Sequence, residues 1–270
     1  MYSRNIPKKR YFKQPLLTKN VYYLKGNSMK TLFKQNFKIL LASASLLLMA
    51  NNCVANNSSN VVNSVNIKPT NSCIHIKKTG KGPIVFLIPG FSNDSRVWQE
   101  TTEFLQNNYQ VHNISISGFG ANPNCDANDN IYDTVIQQIS QYAVANKFKQ
   151  VSIVGHSMGG LIAMNLGKNH PTVFTNVMSV DGLPFIGPVF TRSNTTTPND
   201  LLAQANNMKQ FYVASTENQI RTMTLQAAAM YTANKSKHSV LAEMAAQSDP
   251  VTLGNAIFSV MTTDLRNDLD

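Results

Sequence analysis

No aspartate or glutamate occurs in this 270-residue chain before Asp94. The formal charge of +10 is therefore not spread over a binding face. Ten Lys or Arg lie in residues 1–38, whereas the 14 basic and 14 acidic residues from Asn56 onward cancel. A neutral remainder excludes a nucleic-acid-binding surface built on net charge. Apolar runs are also short. The longest, Ile39 to Ala50, has 12 residues, too few for a bilayer span, which needs ~20. The five histidines (75, 112, 156, 170 and 238) stand singly and the three cysteines have no ligand spacing, so no metal site is expected. There is no glycine-rich phosphate loop and no internal repeat, and no cofactor is expected.

What the first 71 residues do contain has the layout of an export signal. Met29 to Lys38 is a basic n-region, Ile39–Ala50 an apolar core, and Cys53-Val54-Ala55 offers small residues for cleavage. Asn51 and Asn52 fit poorly before a lipidated Cys53, so cleavage after Ala55 is the expectation. Residues 1–28 then read as an over-called start, with translation from Met29; an uncleaved signal-anchor is the alternative, and the only expected membrane contact. Residues 56–71, rich in Asn, read as a flexible tether. The expected localisation is periplasmic or secreted. In such a compartment Cys73 and Cys125 could pair, or stay two buried thiols; the sequence alone leaves both open.

From Cys73 the pattern changes. Pro83–Ile88 is a continuous apolar run, as expected for a strand buried on both faces, and Tyr109–Ile116, Val151–His156 and Thr175–Val180 are further strands. Helical spacing covers Arg96–Asn107 and, behind Asp129 as cap, Asn130–Asn146. Alternation of this kind predicts an α/β fold with a largely parallel sheet and helices on both faces. After Phe185 it gives way to helical segments at Leu201–Tyr212, Gln219–Ala233, Val240–Ala246 and Pro250–Met261, which read as a helical cap over about 186–262.

The segment that carries chemistry is Val151-Ser152-Ile153-Val154-Gly155-His156-Ser157-Met158-Gly159-Gly160. A strand runs into Gly-x-Ser-x-Gly and then into a helix. A serine hydroxyl becomes a useful nucleophile when a sharp, strained turn holds it exposed beside a base, and glycines on either side remove the Cβ atoms that would obstruct the turn. Three fixed positions alone occur by chance in about one chain in ten of this length. The flanking strand and helix raise the pattern above chance, and Ser157 is the expected nucleophile.

With Ile88-Pro89-Gly90 before a loop and Trp98, a Gly118-Phe119-Gly120 turn, the Ser157 elbow, Val180-Asp181-Gly182-Leu183-Pro184-Phe185 and Met261-Thr262-Thr263-Asp264-Leu265-Arg266, the chain resembles bacterial exported hydrolases of the α/β-hydrolase fold from about Cys73 to Asp270. The resemblance implies an oxyanion hole made by the backbone N–H groups of Phe91 and Met158. It implies hydrolysis of an ester or similar acyl bond of a small-molecule substrate. It also implies a triad in the order Ser, acid, His. The acid normally follows the strand after the cap and the histidine lies later still, so residues 72–270 read as an incomplete domain lacking two strand–helix units. Within the chain, Asp181 and His238 are the substitutes. His156 is a packing residue and His75 and His112 structural ones. His170 lies ~18 Å down the helix from Ser157. The competing expectation is a truncated, non-catalytic remnant of such a hydrolase.

Overall fold

The computed structural model describes residues 21–24 and 72–269. The leader, signal and tether expected over residues 1–71 lie outside the described residues, apart from Val21–Leu24.

Six strands form one sheet: β1 (Val21–Leu24), β2 (Ile74–Thr79), β3 (Ile84–Ile88), β4 (Gln110–Ile116), β5 (Val151–His156) and β6 (Phe174–Val180), in the spatial order β1-β6-β5-β3-β4-β2. The pairs β4–β3, β3–β5 and β5–β6 are parallel, and the two edge strands are antiparallel. The β6 edge is paired with β1 over Val21↔Val180 to Leu24↔Val177.

Period-two alternation explains the layers. From β3, Val85 and Leu87 turn to one face, where they meet Trp98 and Val111, while Phe86 and Ile88 enter the main core on the other. Trp98 belongs to a short 3-10 turn (Ser95–Trp98) that leads into α1 (Gln99–Leu105); the single helix expected here is thus split. The reason is Asp94, whose carboxylate accepts the Arg96 N–H and fixes a tighter first turn. On the other face lie α2 (Ile131–Ala145), which buries Val135, Ile139 and Ala143, and α3 (Met158–Asn169). Asp129 does not cap α2. The helix is entered through a 3-10 turn, and the N-cap is Asn130, without a side-chain bond.

After β6 the chain is helical: α4 (Gly187–Thr191), α5 (Pro198–Ala214), α6 (Glu217–Tyr231), α7 (His238–Ala246) and α8 (Pro250–Thr262). The start of α6 is specified locally. Gln219 N–H donates to Thr216 Oγ1 at 3.3 Å and Thr216 N–H to Gln219 Oε1 at 2.8 Å, a reciprocal cap. The start of α8 is tied to the sheet. Asp249 N–H donates to the Gly118 carbonyl at 2.8 Å, and Gly120 N–H donates to Ser248 Oγ at 2.9 Å. At the far end, Leu265 N–H bonds the Pro184 carbonyl and Arg266 lies over the Phe185 ring.

Cys73 and Cys125 pair, settling the alternative left open by sequence, and both are 1% exposed. The bond joins the start of β2 to the loop after β4 across a separation of 52 residues. Loop-closure entropy of that span is worth about 4 kcal/mol. Replacing both cysteines by serine is expected to lower the unfolding free energy by about that amount, read from denaturant melts with and without reductant; coincident melts would contradict it.

His112 is buried in the main core, stacked on Phe86 at 5.0 Å. Its Nε2–H donates to Gln110 Oε1 and its Nδ1 accepts from the Tyr142 hydroxyl, so the neutral ring is fully used. Burial, with the nearby Lys78 charge adding, pushes its pKa down to about 4 from 6.5. The unfolded chain therefore takes up this proton first. The contribution of His112 is complete above pH 6.5 and is lost as pH falls toward 4. Melting temperature should fall across that window, and His112→Asn should flatten the slope; an unchanged slope would contradict the assignment.

Candidate active site

β3 and β5 lie side by side, with Ile88 opposite Gly155. The chain leaves both strands at their carboxyl ends, where strand order reverses about β3, and ligands of open α/β sheets collect at such a place. Ser157 follows β5 by one residue and Phe91 follows β3 by three, so the topology brings them to the same end of neighbouring strands.

Ser157 has φ 51° and ψ −117° and is the N-cap of α3. This is left-handed backbone on a residue with a Cβ, a conformation that persists only where its surroundings enforce it. The enforcement is visible. Ser157 N–H donates to the Val180 carbonyl at 2.9 Å, and the Ser157 carbonyl accepts from Gly160 N–H at 2.8 Å and Leu161 N–H at 3.1 Å. The helix then crosses so close to the strands that a Cβ on Gly155 would collide with the Gly159 carbonyl. One on Gly159 would come within 2.5 Å of the Ile88 and Pro89 carbonyl oxygens. The two glycines of Gly-x-Ser-x-Gly are therefore there for backbone approach. Met158 opens α3, whose first N–H groups have no acceptor within the helix and whose positive dipole end faces the turn.

The loop after β3 is pinned from within. Asn93 N–H donates to the Gly90 carbonyl, Asn93 Nδ2 donates to the Phe91 carbonyl at 2.8 Å, and Ser92 is held at φ 59°. Polar groups on β4 hold the start of the adjoining 3-10 turn: Ser115 Oγ accepts Ser95 N–H, and Asn113 Nδ2 donates to the Ser95 carbonyl.

None of the five histidines hydrogen-bonds Ser157 among the described residues, and each is set against another group. His75 Nε2 meets Ser117 Oγ at 3.0 Å, and His112 is used as above. His170 caps the far end of α3, its ring edge-on to Phe174. His238 Nε2–H donates to the Thr232 carbonyl within the cap. His156 is next to Ser157 in sequence, yet its Nδ1 lies against Gly90, where a Cβ would come within 2.7 Å. Burial lowers the pKa of His156, with the Asp181 charge opposing. Asp181 follows β6 in left-handed backbone at φ 52° and is exposed. Of the two substitutes, then, Asp181 sits beside the elbow and His238 is bound up in the cap. Among the described residues no group of three His, Cys, Asp or Glu side chains could hold a metal ion.

Sequence reasoning missed two features that bear on this site. Tyr212 of the cap stands against Phe91, and helical spacing gives no sign of which face of α5 meets the core loop. The short α4 was unforeseen because five residues are too few for periodicity.

A family model described as the alpha/beta hydrolase fold matches residues 83–241. Among curated proteins the chain is similar to a pimeloyl-[acyl-carrier protein] methyl ester esterase of Vibrio atlanticus, 28% identical over 199 residues, covering 71% of this chain and 72% of that protein. Among solved structures, a hydrolase from Pseudomonas aeruginosa superposes with a TM-score of 0.59 at 14% identity, covering 76% of each chain. An esterase from Exiguobacterium antarcticum superposes at 0.56 and 16% identity, covering 72% of each.

Proposed function

This chain belongs to the α/β-hydrolase-fold family, and from that premise we propose that it is a serine hydrolase cleaving an ester or similar acyl bond, with Ser157 as nucleophile. The observation that carries the reading is the strained Ser157 backbone, φ 51°, at the junction of β5 and α3. In this reading Ser157 Oγ adds to the acyl carbon as its proton passes to a base, a part that no described histidine fills through a hydrogen bond to Ser157. The tetrahedral oxyanion is held by the N–H groups of Met158 and Phe91, each such donor being worth ~3 kcal/mol. Collapse expels the alcohol with a proton, and water then releases the acid from the acyl-serine. The esterase name of the Vibrio relative agrees with the ester class.

A second reading is a hydrolase-fold protein that holds an acyl ligand at Ser157 without turning it over. What favours it is the placement of the histidines, none of which is bonded to Ser157 among the described residues. A chromogenic short-chain ester separates the two. The first reading expects saturable turnover that Ser157→Ala lowers roughly a thousandfold or more. Turnover that survives the substitution contradicts it, and saturable binding without turnover supports the second.

We also propose export. The basic n-region, apolar core and small residues before Asn56 support it, as does the Cys73–Cys125 pair, since disulfides persist in oxidising compartments. A form cleaved after Ala55 lacks β1, so it keeps five strands and leaves the β6 edge unpaired. It should begin at Asn56 by N-terminal sequencing; an exported form that begins within residues 1–28, and so retains β1, would contradict both the cleavage and the Met29 start.

A further inference from the structure

The Phe91 ring is held from two sides. Phe119, fully buried in the turn after β4, meets it edge-on at 5.8 Å and 76°. Tyr212, buried near the end of α5, meets it at 5.2 Å and 69° from the cap. Edge-to-face pairs of this kind fix ring position as well as burying area. The hydrogen bonds within the loop tie down the Gly90 and Phe91 carbonyls, while the ring contacts decide how the Phe91 residue sits between them. The two clamping rings are themselves joined. The Phe119 turn bonds Ser248 and Asp249 at the start of α8, and α8 packs along α5. The cap therefore meets this loop directly through Tyr212 and indirectly through the Phe119 turn.

Resting on the reading of Phe91 N–H as an oxyanion donor, we propose that Tyr212 is a positioning residue: the cap, through this ring, holds Phe91 so that its N–H faces the reacting centre, and the oxyanion hole is complete only with the cap seated. Tyr212 acts through its ring and not through a charge. Burial, with Tyr231 nearby, keeps its phenol protonated well above the ordinary range. Phenylalanine should then replace it, and alanine should not.

The test uses the full chain with Tyr212→Phe and Tyr212→Ala, and reads amide hydrogen exchange together with ester hydrolysis. In Tyr212→Ala, exchange over residues 89–94 should quicken about tenfold while β5 keeps its protection. Where turnover depends on Ser157, kcat should fall tenfold or more, toward the ~100- to 1,000-fold loss of a whole donor, with KM within about threefold. Tyr212→Phe should match the wild type in both readouts. Unchanged exchange over 89–94 in Tyr212→Ala overturns the proposal whether or not the protein turns over ester. So does a loosened loop with unchanged kcat in a Ser157-dependent enzyme. Turnover indifferent to Ser157→Ala overturns the underlying reading of the nucleophile instead. If Tyr212→Ala loses protection everywhere, Tyr212→Leu, which keeps bulk without an aromatic edge, is read in its place under the same criteria.

Discussion

The close crossing of α3 over β5 and β3 is the constraint on which the site depends. At Gly155 and Gly159 backbone meets backbone where any side chain would intrude. That approach lets the helix start directly off the strand, with no loop between, and it is what holds Ser157 at φ 51°. An ordinary connection would let the residue relax into the allowed regions, and its hydroxyl would no longer be fixed beside the first N–H groups of the helix. Strain at Ser157 is thus balanced by buried contacts around it, among them Ile153 on β5 and Leu161 and Ile162 on α3, all in the main core.

Cap and sheet share one core, to which Met208, Leu253, Ala256 and Met261 of the cap contribute alongside Ile88 and Ile116 of the strands. Ser248, Asp249 and Tyr212 all meet the loops that follow β3 and β4, next to Ser157, and Arg266 fastens the other end of the cap to the segment after β6. The disulfide secures the same β4 loop from behind through Cys125. The loop that carries Phe91 is thus held both by its own hydrogen bonds and by ring contacts from the β4 turn and the cap, as a pre-organised donor requires.

The strands and the elbow were legible because their signals are local. A continuous apolar run such as Ile84–Ile88 can be little else in this context, and Gly-x-Ser-x-Gly names its own turn. The core helices were legible to within a turn. What failed did so where longer-range geometry decides. Pairing of Cys73 with Cys125 depends on a Cα–Cα distance of 5.2 Å that no spacing reveals. The antiparallel strand Val21–Leu24 on the β6 edge lies far in sequence from its partner, and no local pattern names a partner so distant. The contact of Tyr212 with Phe91 depends on how the cap is laid over the sheet, since helical periodicity marks a buried face without saying what covers it. Asn130 in place of Asp129 shows a smaller version of the same limit, a 3-10 turn moving the cap by one residue.

The central claim, that the elbow presents Ser157 as the reacting group, is tested most directly by covalent capture. A fluorophosphonate is added to the 270-residue chain and the modified peptide is located by mass spectrometry. The account predicts a single adduct on Ser157, absent after unfolding in denaturant, because the reactivity needs the folded elbow, which presents the hydroxyl to a base and to the adjacent N–H groups, and not the serine alone. No adduct on Ser157 in the folded protein, or an adduct formed equally well by the unfolded chain, would contradict it.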